Sequence, residues 1–94
     1  MGWTEVAVEV EREAVDAVAE ILRLHGQGVA IEEPFIQPYL EDAPQPDPAR
    51  HPILKTYLTD DPAGAAAQRS IEEALWHIGQ IRSVGPLEIG RAHV

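Results

Sequence analysis

Polar and apolar residues alternate along the first ten positions of the chain. Val6, Val8 and Val10 share one parity, and Glu5 and Glu9 share the other. A period of two is typical of a strand with one buried face. The pattern therefore predicts a first strand over residues 3–10. Trp3 has the parity of the glutamates and is expected on their side of the strand.

The spacing of apolar residues lengthens to that of a helix over residues 11–25. One stripe runs along this segment, formed by Ala14, Val15, Val18, Ile21 and Leu22. Such a stripe is typical of an amphipathic helix that packs on a core. Glu11 and Glu13 suit the positive end of the helix dipole, and Gly26 is predicted to follow the last helical turn.

A short second strand is predicted over residues 29–33, and Pro34 ends it. Six prolines then fall within residues 34–52. Because proline cannot donate a backbone hydrogen bond, this segment is predicted to be a loop. Its first part carries four large side chains that we expect to anchor it on the core: Phe35, Ile36, Tyr39 and Leu40. The loop is too long for a plain hairpin turn, which indicates a functional role.

A third strand is predicted over residues 53–58, followed by a second helix to about residue 78. Asp61 and Pro62 are favoured residues for the N-cap and first position of a helix, and Gly79 is expected to end it. The predicted buried stripe consists of Ala67, Ile71, Ala74, Leu75 and Ile78. Residues 81–87 are expected to lead into a fourth strand, with a break at Gly85 and Pro86.

The order strand, helix, strand, strand, helix, strand predicts an α+β fold of the ferredoxin-like type. In this βαββαβ sandwich two helices cover one face of an antiparallel sheet. The chain has 94 residues, which is enough for one small domain. We expect its fourth strand to be truncated and the domain to be a monomer.

The formal net charge of −9 narrows the range of partners. An acidic surface repels nucleic acid and attracts basic proteins, although it also simply keeps a small domain soluble. No apolar run is long enough for a membrane span. The chain contains no cysteine, which suits a reducing cytoplasm.

The motifs in the sequence do not predict a site of catalysis or cofactor binding. Gly26 and Gly28 form a Gly-x-Gly that follows a helix, so a cap is favoured over a phosphate loop. None of the four histidines (His25, His51, His77 and His93) has a second ligand at helical spacing. The paired carboxylates are expected to be solvated charges: Glu32 with Glu33, Asp60 with Asp61, and Glu72 with Glu73. No catalytic, cofactor-binding or metal-binding residue is therefore predicted.

The sequence also argues against three known functions of the ferredoxin-like fold. Arg12 lies in the first turn, as an acylphosphatase-like site requires, but the chain has no asparagine to hold the attacking water. That same turn is too bulky for an amino-acid-sensing domain. Trp3 and Tyr57 are candidates for stacking on RNA, but the negative charge argues against it. Trp76 is expected to pack on the core or to face a neighbouring domain.

Several strings, taken in order, resemble the ribosomal protein L-eleven methyltransferases, the PrmA family. Residues 3–10 and 28–33 resemble the first two strands, and residues 13–22 resemble the first helix. Residues 55–61 resemble the third strand, except that Thr59 stands where the family often has proline. The most specific match is Ile-Glu-Glu-Ala-Leu-Trp-His-Ile-Gly-Gln-Ile at residues 71–81.

The resemblance covers residue 2 to about residue 87 and implies a role in protein recognition. In that family a ferredoxin-like N-terminal domain grips a basic large-subunit ribosomal protein. A separate domain binds S-adenosylmethionine and methylates amino groups, mainly of lysines. Its motifs do not occur here, so we expect residues 1–88 to be the recognition domain, inactive alone and without a cofactor. The alternative is a stand-alone ferredoxin-like binding or regulatory module.

The last residues have a different expected origin. Glu88 to Val94 can be encoded by GAG ATC GGA AGA GCA CAC GTC, which after its first base matches the start of a common sequencing adapter. We therefore expect residues 89–94 to be an adapter-derived tail, and Arg91 and His93 to have no function. A sheet edge would still pair with such a segment if it were extended.

Overall fold

A computed structural model describes residues 2–37, 43–79 and 88–92, the last of these as backbone only. The chain begins with strand β1 (Trp3–Glu9), a 3-10 turn (Arg12–Ala14) and helix α1 (Val15–His25). Strands β2 (Ala30–Glu32), β3 (Phe35–Ile36), β4 (Gln45–Pro46) and β5 (Ile53–Thr59) follow. Helix α2 (Pro62–Gly79) and strand β6 (Glu88–Ala92) complete the described elements.

The main sheet has four strands in the order β2-β5-β1-β6, and every neighbouring pair is antiparallel. The two longest strands, β1 and β5, therefore lie at the centre, while the three-residue β2 and the five-residue β6 form the edges. This order, with one helix after β1 and one after β5, confirms the predicted ferredoxin-like α+β fold.

The core lies between the two helices and one face of the sheet. The strands contribute every second side chain, in the alternation that includes Val6 on β1 and Leu54 on β5. The helices contribute side chains of the predicted stripes, including Val18 and Ile71. The fully or nearly fully buried apolar side chains are Val6, Val8, Val10, Ala14, Val18, Ala19, Leu22, Leu54, Leu58, Ile71 and Leu75. Both predicted helix stripes face the core, and α1 also buries Ala19, which the predicted stripe did not include.

The proline-rich segment differs from its prediction as a plain loop. Strands β3 and β4 pair within it, with Phe35 opposite Pro46 and Ile36 opposite Gln45. Phe35 is 57% exposed and Ile36 is 39% exposed, so the expectation that they anchor the segment on the core is wrong. Tyr39 and Leu40, named in the same expectation, lie outside the described residues.

The fourth strand of the sheet is β6, which begins at Glu88. The predicted lead-in over residues 81–87 lies outside the described residues. Strand β6 pairs with β1 from Ala7 opposite Glu88 to Trp3 opposite Ala92. Among the described helices, none is both long and apolar enough to cross a membrane.

Candidate protein-binding surface

The sheet face opposite the helices carries a mixed acidic and aromatic surface. Alternate residues of β1, β2 and β5 point to this side, because residues directly opposite in an antiparallel pair share a face. We call this surface the open face. Its members on these three strands are Trp3, Glu5, Ala7, Glu9, Ala30, Glu32, Ile53, Lys55, Tyr57 and Thr59.

The strand register places Lys55 at the centre of the open face. Ala7 and Ala30 lie directly opposite Lys55 on the two neighbouring strands. The next positions on the same face are occupied by carboxylates, Glu5 and Glu9 on β1 and Glu32 on β2. Diagonal neighbours in a sheet are within reach of long side chains, so one lysine is surrounded by three acidic residues above two short alanines.

Lys55 contacts two of these glutamates, Glu32 and Glu5. Its Nζ donates a hydrogen bond to Glu32 Oε1 at 2.7 Å and lies 4.0 Å from Glu5 Oε1. The hydrogen bond to Glu32 is the largest cause of a raised pKa for Lys55, and the negative charges of Glu32 and Glu5 add to it. The Lys55 side chain is only 24% exposed, although no described helix covers this face.

Tyr57 extends the same network toward the end of the sheet. Its hydroxyl donates to Glu5 Oε2 at 3.0 Å, directly across the β1–β5 pair. This hydrogen bond and the negative charge of Glu5 raise the pKa of Tyr57. Glu5 therefore holds the tyrosine with one oxygen and faces the lysine with the other.

A second positioned feature is the β3–β4 arm, which we define as residues 34–37 and 43–47. Arg12 connects the two ends of the arm: its Nε donates to Oε1 of Glu33, the residue before the arm, at 3.0 Å, and its Nη2 donates to the carbonyl oxygen of Asp47, the last residue of the arm, at 3.1 Å. The Asp47 N–H also donates to the Pro34 carbonyl oxygen at 2.8 Å. The first-turn arginine is thus part of a structural clasp.

A cleft of about 250 Å³ lies at the end of the sheet, lined by Gly2, Trp3, Thr59, Asp60 and Asp61. The Asp61 carboxylate in it accepts the Gly64 N–H at 2.8 Å and the Thr59 hydroxyl at 2.7 Å. These bonds lower the pKa of Asp61, with the backbone bond from Gly64 as the largest cause. The carboxylate is therefore engaged as the predicted N-cap of α2.

The structure separates most of the other polar residues that the sequence singled out. Glu32 faces Lys55 whereas its neighbour Glu33 binds Arg12, so this pair does not share a site. His25, His51 and His77 are exposed, and His93 lies outside the described residues. In the described part of the chain, no three potential metal ligands come together.

Trp76 does not pack on the core, because it is 63% exposed, and its ring contacts the edge of the His77 ring. The residue that sequence reasoning missed is Lys55. Lys55 alternates with the apolar residues of the predicted third strand, as Glu5 and Glu9 do on the first strand. This shared alternation could have indicated that the lysine and the glutamates lie on the same face.

Two sequence relatives of the chain carry the same name. The chain is 43% identical over 89 residues to the ribosomal protein L11 methyltransferase of Chloroflexus aurantiacus, a match covering 93% of this chain. It is 38% identical over 91 residues to the enzyme of that name in Herpetosiphon aurantiacus, covering 95%. The sequence resemblance is confirmed. The chain spans 27% and 28% of the lengths of these relatives, and no protein-family model matches it.

Solved structures with much lower sequence identity support the fold. A PII-like protein from Thermus thermophilus is 15% identical with a TM-score of 0.65, covering 100% of this chain and 89% of its own. The CPII protein of Thiomonas intermedia, 9% identical, gives a TM-score of 0.68 with the same coverage. A dimeric ferredoxin-like protein from Thermobifida fusca is 9% identical with a TM-score of 0.51, covering 99% and 92% of the two chains. At these identities the likeness concerns the fold alone.

Proposed function

We propose that this chain is the N-terminal, substrate-recognising domain of an S-adenosylmethionine-dependent protein lysine methyltransferase. The substrate of the whole enzyme is a basic protein of the large ribosomal subunit, and the enzyme acts in the cytoplasm. The observation that carries the proposal is the match to two L11 methyltransferases over 93% and 95% of this chain. The remainder of their length leaves room for a separate catalytic domain.

In this proposal the domain contributes binding and positioning. Holding a protein substrate beside a methyl donor lowers the entropic cost of bringing nucleophile and electrophile together. The net charge of −9 favours encounter with a basic protein. No residue of this chain is assigned a chemical step, and the domain acts as a monomer without a cofactor.

A titration experiment tests the role of the domain. The 94-residue chain is titrated by calorimetry with purified ribosomal protein L11 at about 50 and about 300 mM salt. We expect weak binding whose affinity falls several-fold at the higher salt, because screening weakens attraction between exposed charges. A parallel titration with S-adenosylmethionine is expected to give no heat of binding.

Three results would contradict the proposal. Binding of L11 that does not change with salt would exclude the electrostatic recognition, and tighter binding of ribosomal RNA than of L11 would indicate a different partner. Micromolar binding of S-adenosylmethionine would place cofactor recognition within this chain.

A further inference from the structure

The open face already binds one ammonium group, that of Lys55. Glu5 and Glu32 contact this lysine and Glu9 lies at the next position of the same face on β1, so the described side chains of β1, β2 and β5 leave an excess of two negative charges on the face. Glu9 is exposed, and the Glu32 side chain, which accepts the Lys55 hydrogen bond, remains 56% exposed. The surface is therefore complementary to a cationic partner while one of its own cations lies in the middle.

The remaining residues of the open face suit a polypeptide. Trp3, Ile53 and Tyr57 are half-buried and offer apolar or aromatic surface between the charges. The side chains of Ala7 and Ala30 are short, so the surface is recessed on both sides of Lys55. An extended segment with basic side chains at every second position would repeat with the same spacing as the alternate residues of β1.

We propose that a lysine- or arginine-bearing segment of the protein substrate docks on the open face, and that Lys55 competes with it for the surrounding carboxylates. The identity of the partner rests on the proposed function, but the competition rests on the geometry of this chain. Lys55 repels an incoming cation and occupies Glu32, so it keeps binding weak and reversible. It is a residue that sets affinity and takes no part in chemistry.

The test replaces Lys55 by methionine, which keeps a long apolar stem and removes the charge. The probe is a peptide of alternating lysine and serine, titrated by calorimetry at low and high salt. We expect Lys55→Met to raise the affinity about fivefold at low salt, the size expected for removing a neighbouring like charge in a solvated site. The gain should shrink as salt rises.

The matched control is Arg69→Met on the exposed side of α2. It removes one positive charge, as Lys55→Met does, but from a helix and not from the open face. We expect this control to change the affinity by much less than Lys55→Met. Equal gains in the two variants would mean that only the total charge matters. An unchanged or reduced affinity of Lys55→Met would also overturn the proposal.

A second pair of variants keeps the test decisive if Lys55→Met does not fold. Glu9→Gln removes an exposed charge from the open face, and Glu73→Gln removes one from the exposed side of α2. We expect only Glu9→Gln to weaken peptide binding, and equal effects would contradict the assigned surface.

The failure of the two proposals can be told apart by adding ribosomal protein L11 as a second probe. If the peptide binds in a Lys55-dependent way and L11 does not bind, the proposed function is wrong and the docking surface stands. If L11 binds without any effect of Lys55 or Glu9, the domain recognises its substrate elsewhere and the inference is wrong.

Discussion

Thr56 is a polar residue in the middle of an otherwise apolar strand face. It lies between Leu54 and Leu58 on the core side of β5 and is fully buried. Its hydroxyl is satisfied because it donates to the Gly28 carbonyl oxygen at 2.6 Å. A buried hydroxyl without a partner would cost free energy, so this bond ties the turn between α1 and β2 to the centre of the sheet.

Gly26 makes this bond possible by leaving room for Thr56. A Cβ atom at Gly26 would lie 2.0 Å from Thr56 Oγ1 and 2.8 Å from Cγ2. We predict that Gly26→Ala lowers the free energy of unfolding by about 1–3 kcal/mol, as expected for overpacking with loss of a buried hydrogen bond. Chemical denaturation measures this change.

Two further variants test the cause of that loss. Gly79→Ala should be neutral or slightly stabilising, because a Cβ there meets no other atom within 4 Å among the described residues. Adding Thr56→Ala to Gly26→Ala should recover part of the lost stability, since it removes the two nearest obstructing atoms. Strictly additive effects of the two substitutions would contradict a direct clash.

The sequence predicts where Gly26 lies but gives a different reason for it. A glycine after a helix is usually explained by a left-handed conformation, yet Gly26 is extended with φ −114° and ψ −178°. The positive φ of 73° is at Gly28. The requirement for glycine at position 26 comes from a residue 30 positions away, and no local pattern reports such a contact.

At the scale of elements, the face of α1 that meets the sheet is the simplest prediction to test. Val18 has no exposed surface and lies in the middle of the buried stripe. Val18→Asp should unfold the domain, because an unpaired buried carboxylate costs several kcal/mol, about the whole stability of a small domain. Circular dichroism during thermal unfolding measures the effect.

Ala17→Asp is the matched control because Ala17 is adjacent to Val18 but exposed. We expect this variant to retain a cooperative transition close to that of the unmodified chain. If both variants unfolded to the same degree, or neither did, the assigned helix face would be wrong.

The start of α2 provides a pH-dependent prediction. The pKa of Asp61 is lowered from its ordinary value of 3.8 by hydrogen bonds to the ionised carboxylate. Its stabilising effect is therefore fully present above that value and is lost as the pH falls through the lowered value in the folded state. Asp61→Ala should lower the melting temperature by about 5 °C near neutral pH.

The difference between the unmodified chain and Asp61→Ala should shrink as the pH falls below 3.8, the ordinary pKa of this carboxyl, because the protonated carboxyl no longer favours the folded state in the same way. Asp60→Ala is the control, since the Asp60 side chain makes no hydrogen bond to the N-terminal turn of α2 among the described contacts. A difference that stays constant down to acid pH would exclude the ionised cap.

Elements with their own periodicity could be predicted, and elements created by tertiary contacts could not. The stripes of α1 and α2 and the alternation of β1 and β5 are local patterns, and the structure confirms them. Strands β3 and β4 have two residues each, too few to show a period. The Arg12 clasp joins the two ends of the β3–β4 arm, and its partners Glu33 and Asp47 are 21 and 35 positions from Arg12.

For the whole molecule, the sequence gives the sign of the charge but not its distribution. The net charge of −9 indicates a cationic partner. The open face becomes visible only when the register sets Lys55 among Glu5, Glu9 and Glu32, two of which lie on β1 and one on β2. The candidate surface thus depends on strand order as much as on residue type.

The strand β6 raises a question about the origin of residues 89–94, which we propose do not derive from the gene. Their pairing with β1 is a backbone ladder from Ala7 opposite Glu88 to Trp3 opposite Ala92. An open sheet edge accepts extended segments of many sequences, so this pairing is compatible with either origin. The observation that favours a foreign origin is that Ile-Gly-Arg-Ala-His-Val matches the translation of a common sequencing adapter.

We expect a longer clone of the same locus to differ from Ile-Gly-Arg-Ala-His-Val after residue 88. In the native protein the strand should continue with alternating apolar residues, because β6 lies beside the central strand β1 and a strand that covers a core on one face shows a period of two. Long-read sequencing across the locus measures this directly, and we expect the frame to continue into a glycine-rich methyltransferase domain. A locus that encodes Ile-Gly-Arg-Ala-His-Val followed by a stop codon would contradict both the foreign tail and the proposed parent enzyme, and would favour a stand-alone ferredoxin-like module.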